Sequence, residues 1–226
     1  MADKTEKKQT IGKVVVLGGR LSFESLYEPN RQTDDDGNVR ETRKANFLFD
    51  KKKLKAGEYF AKFQGKRMEL KEALRKAGDE ALAKKYPGGS YPKYKPEKIY
   101  FRDGDLEDWD GYEGCMYISA NAMLKDKPLV LTNRKDGNGN WIEATPGGKN
   151  SPYSGCYVNA TLVIWIQDND NGKRKNAQVK AVQFVADGEA FGAAPTDPNE
   201  DFDDDDVGEV GEIGGDEDED DADDMV

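Results

Sequence analysis

Residues 156–186 read CYVNATLVIWIQDNDNGKRKNAQVKAVQFVA. From Cys156 to Ile166 every second residue is apolar: Cys156, Val158, Ala160, Leu162, Ile164 and Ile166. The opposite face is mixed, with Tyr157, Asn159, Thr161, Val163 and Trp165. A period of two with one apolar face is the pattern of a strand that buries one side and wets the other. Asp168-Asn169-Asp170-Asn171-Gly172 is rich in turn formers, and an alternating return strand follows over residues 176–186. The stretch therefore predicts a long β-hairpin. Pairing Gln167 with Asn176 sets Trp165, Val163 and Thr161 beside Gln178, Lys180 and Val182. Ala177, Val179 and Ala181 then face the core. A slip of one residue reverses the faces.

Working outward, residues 11–27 predict another strand, bent at Gly18-Gly19 and ended by Pro29. A glycine pair inside a strand marks a bulge or tight bend of the kind small barrels use at corners. Asp34–Asn38 is a turn, and residues 40–49 form the next strand. The period then changes: Leu70, Ala73, Leu74, Ala77, Ala81 and Leu82 have helical spacing. This predicts a helix over 66–86, stopped by Pro87-Gly88-Gly89. Residues 51–64 either extend that helix or form a short one of their own. Tyr112-Glu113-Gly114-Cys115 and Tyr153-Ser154-Gly155-Cys156 echo each other, and each opens a strand. Between them lie a short strand, 129–132, and a Gly/Asn-rich loop, 136–140.

The whole chain carries a net charge of −11, but this figure is misleading. Residues 196–226 hold 17 Asp or Glu and no Lys or Arg; the rest holds 34 bases against 28 acids, a net of +6. The predicted organisation is a loose N-terminus over 1–10, one domain over 11–195, and an acidic tail over 196–226. The tail has too little apolar surface to offset the entropy of ordering, so its composition predicts disorder. It reads either as a solubilising extension or as a charged arm that competes with DNA and docks partner proteins. Phe202, Val207, Val210 and Ile213 are its apolar grips. The longest apolar runs, 14–17 and 162–166, are strand-length and far below the roughly 20 residues that span a bilayer. No membrane partner and no secretion leader are expected. Two cysteines outside any cluster suggest a reducing interior.

Histidine is absent. That excludes Ser-His-Asp and Cys-His chemistry and removes the commonest transition-metal ligand. No cofactor or resident metal is predicted. Asp168–Gly172 resembles the start of a calcium loop, but Val179 stands where the twelfth-position glutamate belongs, and a hairpin turn is the simpler reading. The acids Asp103, Asp105, Glu107, Asp108 and Asp110 read as a solvated loop, with a Mg²⁺-dependent nuclease as a distant alternative. Gly147-Gly148-Lys149 lacks phosphate-loop spacing.

Two basic stretches carry the binding hypothesis. The loop 84–98 interleaves Lys84, Lys85, Lys93 and Lys95 with Tyr86, Tyr91 and Tyr94. Lysines that meet phosphates beside rings that stack on bases suit single-stranded nucleic acid; the competing reading is a Pro-rich connector with exposed tyrosines. Lys173-Arg174-Lys175 at the hairpin tip is a phosphate clamp or a solubilising turn. The DNA-binding set from the residues is Tyr86, Tyr91, Tyr94, Tyr157 and Trp165 for bases, with Lys93, Lys95, Lys173, Arg174, Lys175 and Lys180 for phosphates.

Several stretches in order resemble the Enc34-like family of bacteriophage single-stranded DNA-binding proteins: Arg20-Leu21-Ser22-Phe23, Leu26-Tyr27-Glu28-Pro29, Arg102-Asp103-Gly104-Asp105, Tyr112-Glu113-Gly114, Ser119-Ala120-Asn121, Lys127-Pro128, Tyr153–Tyr157 and Asp187-Gly188-Glu189. They span about residues 11–195. The resemblance implies a mainly β fold, an OB-like five-stranded barrel with an inserted helix. It also implies sequence-tolerant binding of single-stranded DNA in phage replication, recombination and repair. The expected protein is not an enzyme, works in the cytoplasm of the infected host cell, and has replication or recombination proteins as tail partners. It is also a candidate homo-oligomer. The rival expectation is a virion or assembly protein that does not bind DNA and recruits partners through its tail.

Overall fold

The computed structural model describes residues 10–192, apart from 23, 34–36, 38 and 123. The tail at 196–226, the N-terminal segment before residue 10 and most of the turn at 34–38 lie outside the described residues. In chain order the elements are β1 (Lys13–Ser22), β2 (Asn30–Thr33), β3 (Val39–Asp50) and the short helix α1 (Lys51–Lys55). The hairpin β4 (Phe60–Phe63) and β5 (Lys66–Glu69) leads into helix α2 (Leu70–Lys85). Then come β6 (Phe101–Asp103), β7 (Cys115–Ala122), β8 (Leu129–Lys135), β9 (Trp141–Glu143), β10 (Tyr157–Asn169) and β11 (Gly172–Ala186). Among the described residues no helix is long and apolar enough to cross a membrane.

Five strands close a ring in the order β1–β3–β7–β11–β10 and back to β1. Only the β7–β11 contact within this ring is parallel. That is the connectivity of an OB barrel with α2 inserted between its second and third ring strands. The closure depends on the bend in β1. Its first half pairs with β4 through Val14–Val16, and its second half pairs with β3 through Arg20–Ser22. The switch falls at a register shift between Val16 and Gly19, where Gly18 has φ +66°. An L side chain there would be strained, and a Cβ on Gly19 would press the Phe49 ring at 3.0 Å.

The core is filled from both sheet and helix. Val14, Val16, Phe47, Phe49, Ile118, Val158, Leu162 and Val179 meet the stripe Leu70, Ala73, Leu74, Ala77, Ala81 and Leu82 of α2. The helical spacing was legible, but the helix starts at Leu70 rather than at 66. Residues 66–69 pair as a strand because Gln64 and Gly65, both at positive φ, make a tight hairpin turn that returns the chain onto β4. Residues 51–55 form their own short helix, capped by the Asp50 carboxylate accepting from the Lys53 amide at 2.8 Å.

β1 also ends earlier than its alternation predicts, at Ser22 instead of Tyr27. Here side chains take over from the ladder. Ser25 Oγ accepts from the Lys44 amide at 2.7 Å, and Glu24 accepts from the Leu26 amide at 3.1 Å. Strand β8 runs to Lys135, beyond the expected 132, and pairs with β9 around the 136–140 loop, where Asp136 Oδ1 accepts from the Asn138 and Asn140 amides.

The β10–β11 hairpin is present with a different register. Its loop is the two-residue turn Asp170-Asn171, so Gln167 pairs with Arg174 and Trp165 with Asn176. This is a two-residue offset, so the faces near the tip keep their assignment. Further along, a bulge leaves Lys180 unpaired between Leu162↔Val179 and Thr161↔Ala181. The bulge reverses the remainder of β11. Val182 and Phe184 are buried, whereas Ala181, expected inside, is only half-buried. The Asp168–Gly172 stretch is thus a hairpin turn in the structure.

Candidate nucleic-acid interface

The outward residues of four ring strands form two adjacent rows. Lys44 on β3 pairs with Asn121 on β7, Asn121 with Gln178 on β11, and Gln178 with Val163 on β10. Beside it, Asn46 pairs with Ser119 and Asn176 with Trp165. Continuing the parallel β7–β11 register by one residue sets Asn176 next to Ser119. The side chains face out because Ala45, Phe47, Ile118, Ala120, Ala177 and Ile164, which alternate with them, are buried. The floor of this face is therefore amide and hydroxyl, with almost no charge.

Walls rise at both ends. At the β3–β7 end lies a cavity of about 660 Å³, lined by Glu24, Ser25, Lys44, Asn46, Ser119, Asn121, Arg102 and Trp109 among others. At the β10–β11 end lies one of about 330 Å³, lined by Asn121, Trp165, Gln167, Arg174, Asn176 and Gln178 among others. Asn121 lines both, so the two adjoin along one outer face, here called the groove. Across three strand spacings it is about 14 Å wide at its floor.

Trp109 is set by the loop between β6 and β7. Its ring meets Tyr112 edge-on at 5.0 Å and Tyr117 at 6.2 Å. Tyr112 and Tyr117 pack with Leu48 on the outer face of the barrel, and Asn46 donates to the Tyr112 hydroxyl at 2.7 Å. The acidic residues here hold this loop. Lys51 pairs with both Asp103 and Asp105, Asp105 accepts from the Gly114 amide at 2.7 Å, and Tyr117 donates to Glu107 at 2.5 Å. The Lys51 ammonium, followed by the Gly114 amide, holds the Asp105 carboxyl below its usual range. Trp109 remains 41 % exposed.

Trp165 is also 41 % exposed, and it is the far wall. Between the two indoles, the Gln178 Nε2 donor is buried without a described partner. A buried donor left unsatisfied costs free energy. Glu24 adds a carboxylate at the other end. Burial pushes its pKa up, opposed in part by the hydrogen bond from the Leu26 amide.

The residues predicted from sequence separate into three groups. Trp165 and Arg174 line the groove. Lys173 and Lys175 alternate to the other side of β11, where Lys173 lies 3.6 Å from Asp168 and Lys175 sits 5.0 Å over the Tyr94 ring. Tyr86 joins that cluster, donating to Asp168 at 2.6 Å, with Tyr94 Oη 3.5 Å away. The carboxylate partner raises the Tyr86 pKa, and the same hydrogen bond lowers that of Asp168. Tyr86 and Tyr94 are half-buried pins between the loop and the hairpin, whereas Tyr91, Lys93 and Lys95 stand exposed.

The third group lies apart. Tyr157 starts β10 opposite Arg20, eight residues or about 27 Å from Trp165 along the strand. Lys180 sits at the bulge and pairs with Asp126 at 3.3 Å. Trp109, Arg102, Lys44, Asn46 and Asn121 line the groove without having been among the residues expected from the sequence, and neither was the pairing of Gln178 with Asn121. Lys44 and Asn46 alternate with Ala45, Phe47 and Phe49, so their face was readable. Trp109 was hidden among acids that read as solvated.

Comparison with known proteins agrees with the barrel. A family described as "Enterobacter phage Enc34, ssDNA-binding protein" matches residues 12–212. The putative protein p50 of Acyrthosiphon pisum secondary endosymbiont phage 1 is 33 % identical over 196 residues, covering 84 % of this chain and 92 % of that one. The single-stranded DNA-binding protein from bacteriophage Enc34 in complex with ssDNA superposes with a TM-score of 0.59 at 24 % identity, covering 80 % of this chain and 90 % of that chain. Its C-terminal truncation gives 0.57 at 25 % identity, with coverages of 80 % and 88 %.

Proposed function

The chain belongs to the Enc34 phage ssDNA-binding protein family, and from that premise we propose that it binds single-stranded DNA without catalysis, along the outer groove from Trp109 to Trp165. The observation that carries the reading is the pair of amide rows bounded by two half-exposed indoles. Bases stack on the indoles, and the amides of Asn121, Asn176 and Gln178 meet their edges. Phosphates lie against Lys44, Arg102 and Arg174 at the margins. Stacking is worth about 1–3 kcal/mol per base and tolerates sequence, because every base has a π face.

The proposed setting is the cytoplasm of an infected host cell, where coating and protecting single strands serves phage replication, recombination and repair. The tail at 196–226 acts there as a competitor for the basic groups and as a docking arm for replication or recombination proteins. Its 17 carboxylates against the net-basic remainder support this role. A titration of labelled oligothymidylate across salt tests the DNA reading. Saturable binding with a log–log salt slope near −0.7 per neutralised phosphate is expected. An absence of saturable binding at low salt would favour a virion or assembly role instead.

A further inference from the structure

A second concavity lies on the far side of Trp165. It is a trough of about 560 Å³ between β10 and the C-terminal turn of α2. Val163, Ile164, Ile166 and Ala81 contribute apolar surface, and Lys84 and Lys85 stand on its rim. Lys13 pairs with Val163 across β1 and β10, so it lies on the same sheet face as that trough residue. None of these lysines is in an ion pair with a described residue. The nearby Glu80 carboxylate is already engaged, accepting from the Gly12 amide at 2.6 Å and from Gln64 at 3.2 Å.

We propose that this trough is a second DNA subsite, which the strand enters after crossing Trp165. The proposal rests on the groove described above being the primary site. Two observations select DNA as the occupant. Trp165 lines both the trough and the groove, so a strand leaving one meets the other with an indole between them. The trough also combines apolar surface for a base with a lysine rim for its phosphates, the combination single-strand channels use. The helix ends here, so its partial negative charge lies at this rim. Lys84 and Lys85 offset that charge, and they make the subsite attractive to an anion.

The subsite makes binding depend on length. A short oligonucleotide fills the groove alone, and a longer one reaches Lys84 and Lys85. The full chain and a Lys84→Ala/Lys85→Ala variant are titrated with oligothymidylates of about four and about twelve nucleotides, within the range an OB fold covers. With the long probe the variant's salt slope falls in magnitude by about 1.4, two phosphates at roughly 0.7 each. With the short probe it is unchanged. A Lys84→Glu/Lys85→Glu variant weakens the long probe at least tenfold and spares the short one. Equal losses with both probes, or no loss with either, overturn the subsite. The groove itself is tested separately by Arg174→Ala on the short probe: an unchanged salt slope there refutes the groove and leaves the lysine result to be read alone.

Discussion

Replacing Trp165 with alanine separates a stacking platform from an exposed indole. The side chain is 41 % exposed and stands between the groove and the trough. One base stacked on it contributes about 1–3 kcal/mol, so Trp165→Ala should raise Kd for oligothymidylate by roughly 5- to 150-fold. No charge is lost, so the slope of log Kd against log salt should not change. Trp141 is the matched control. It is 47 % exposed, in the β8–β9 hairpin, with Lys135 4.7 Å over its ring, and it lines neither concavity. Trp141→Ala should leave Kd within about twofold, because loss of an exposed cation–π contact costs only about 0.5–1 kcal/mol of stability. The assay is fluorescence anisotropy of a labelled oligonucleotide, with a thermal melt to show that both variants fold. Neither midpoint should fall as far as the roughly 3–5 kcal/mol typical of a deleted core aromatic. A Trp165→Ala effect below twofold, or a Trp141→Ala effect as large, would refute the groove.

Three further outcomes follow from the geometry. Glu24 is a half-buried carboxyl at the groove end whose folded pKa is raised by desolvation, so the folded state holds its proton more tightly than the unfolded chain. Its burial therefore disfavours folding, and adds negative charge beside the phosphates, as pH rises through that raised value. DNA affinity should weaken over the same window; Glu24→Gln should remove the step and tighten binding about two- to fivefold at neutral pH, about 1 kcal/mol or less for one half-buried charge screened by the open groove, as anisotropy across pH would show. Tyr86→Phe keeps a ring but removes the donor to Asp168, so a urea melt should lose about 1 kcal/mol while Kd moves less than twofold; a large change in Kd with intact stability would return Tyr86 to the DNA surface. Deleting 196–226 should tighten DNA binding at low salt and have a fading effect as salt rises, and a truncated chain that binds no better at low salt would end the competition idea.

Much of the barrel was legible because its strands bury one face. The alternation over 156–166 and the glycine pair at 18–19 were local signals, and local pairing obeyed them. The register of β10–β11 was less accessible, since a five-residue polar stretch allows several turn lengths and only the closed two-residue turn fixes one. The bulge at Lys180 had no local mark. It falls where β11 passes from pairing with β7 at Ala177-Gln178 to pairing with β8 at Ala181–Gln183. Tyr86 and Tyr94 show the limit at the site. Lysine–tyrosine interleaving does not disclose that these hydroxyls and rings also meet a hairpin aspartate and its lysine. Trp109 shows the converse. Asp103, Asp105 and Glu107 are engaged by Lys51, the Gly114 amide and Tyr117, so these acids hold the loop that carries the indole.

The near absence of charge on the groove floor has a consequence for selectivity. A carboxamide offers a donor and an acceptor and can present either, so Asn121, Asn176 and Gln178 can meet the edge of any base. That favours tolerance of sequence. A duplex has its base edges paired and its ring faces stacked, so neither the amides nor the indoles gain anything from it. In the proposed site, discrimination for single strands arises on the floor, while attraction to any polyanion arises at the margins, on Lys44, Arg102 and Arg174. The acidic tail has 17 carboxylates but a single ring, Phe202. It matches the margins and has little for the floor. A tail that competes as proposed should displace weakly held duplex more readily than a stacked single strand, so deleting 196–226 should narrow the ratio of single-strand to duplex affinity in a titration with both probes.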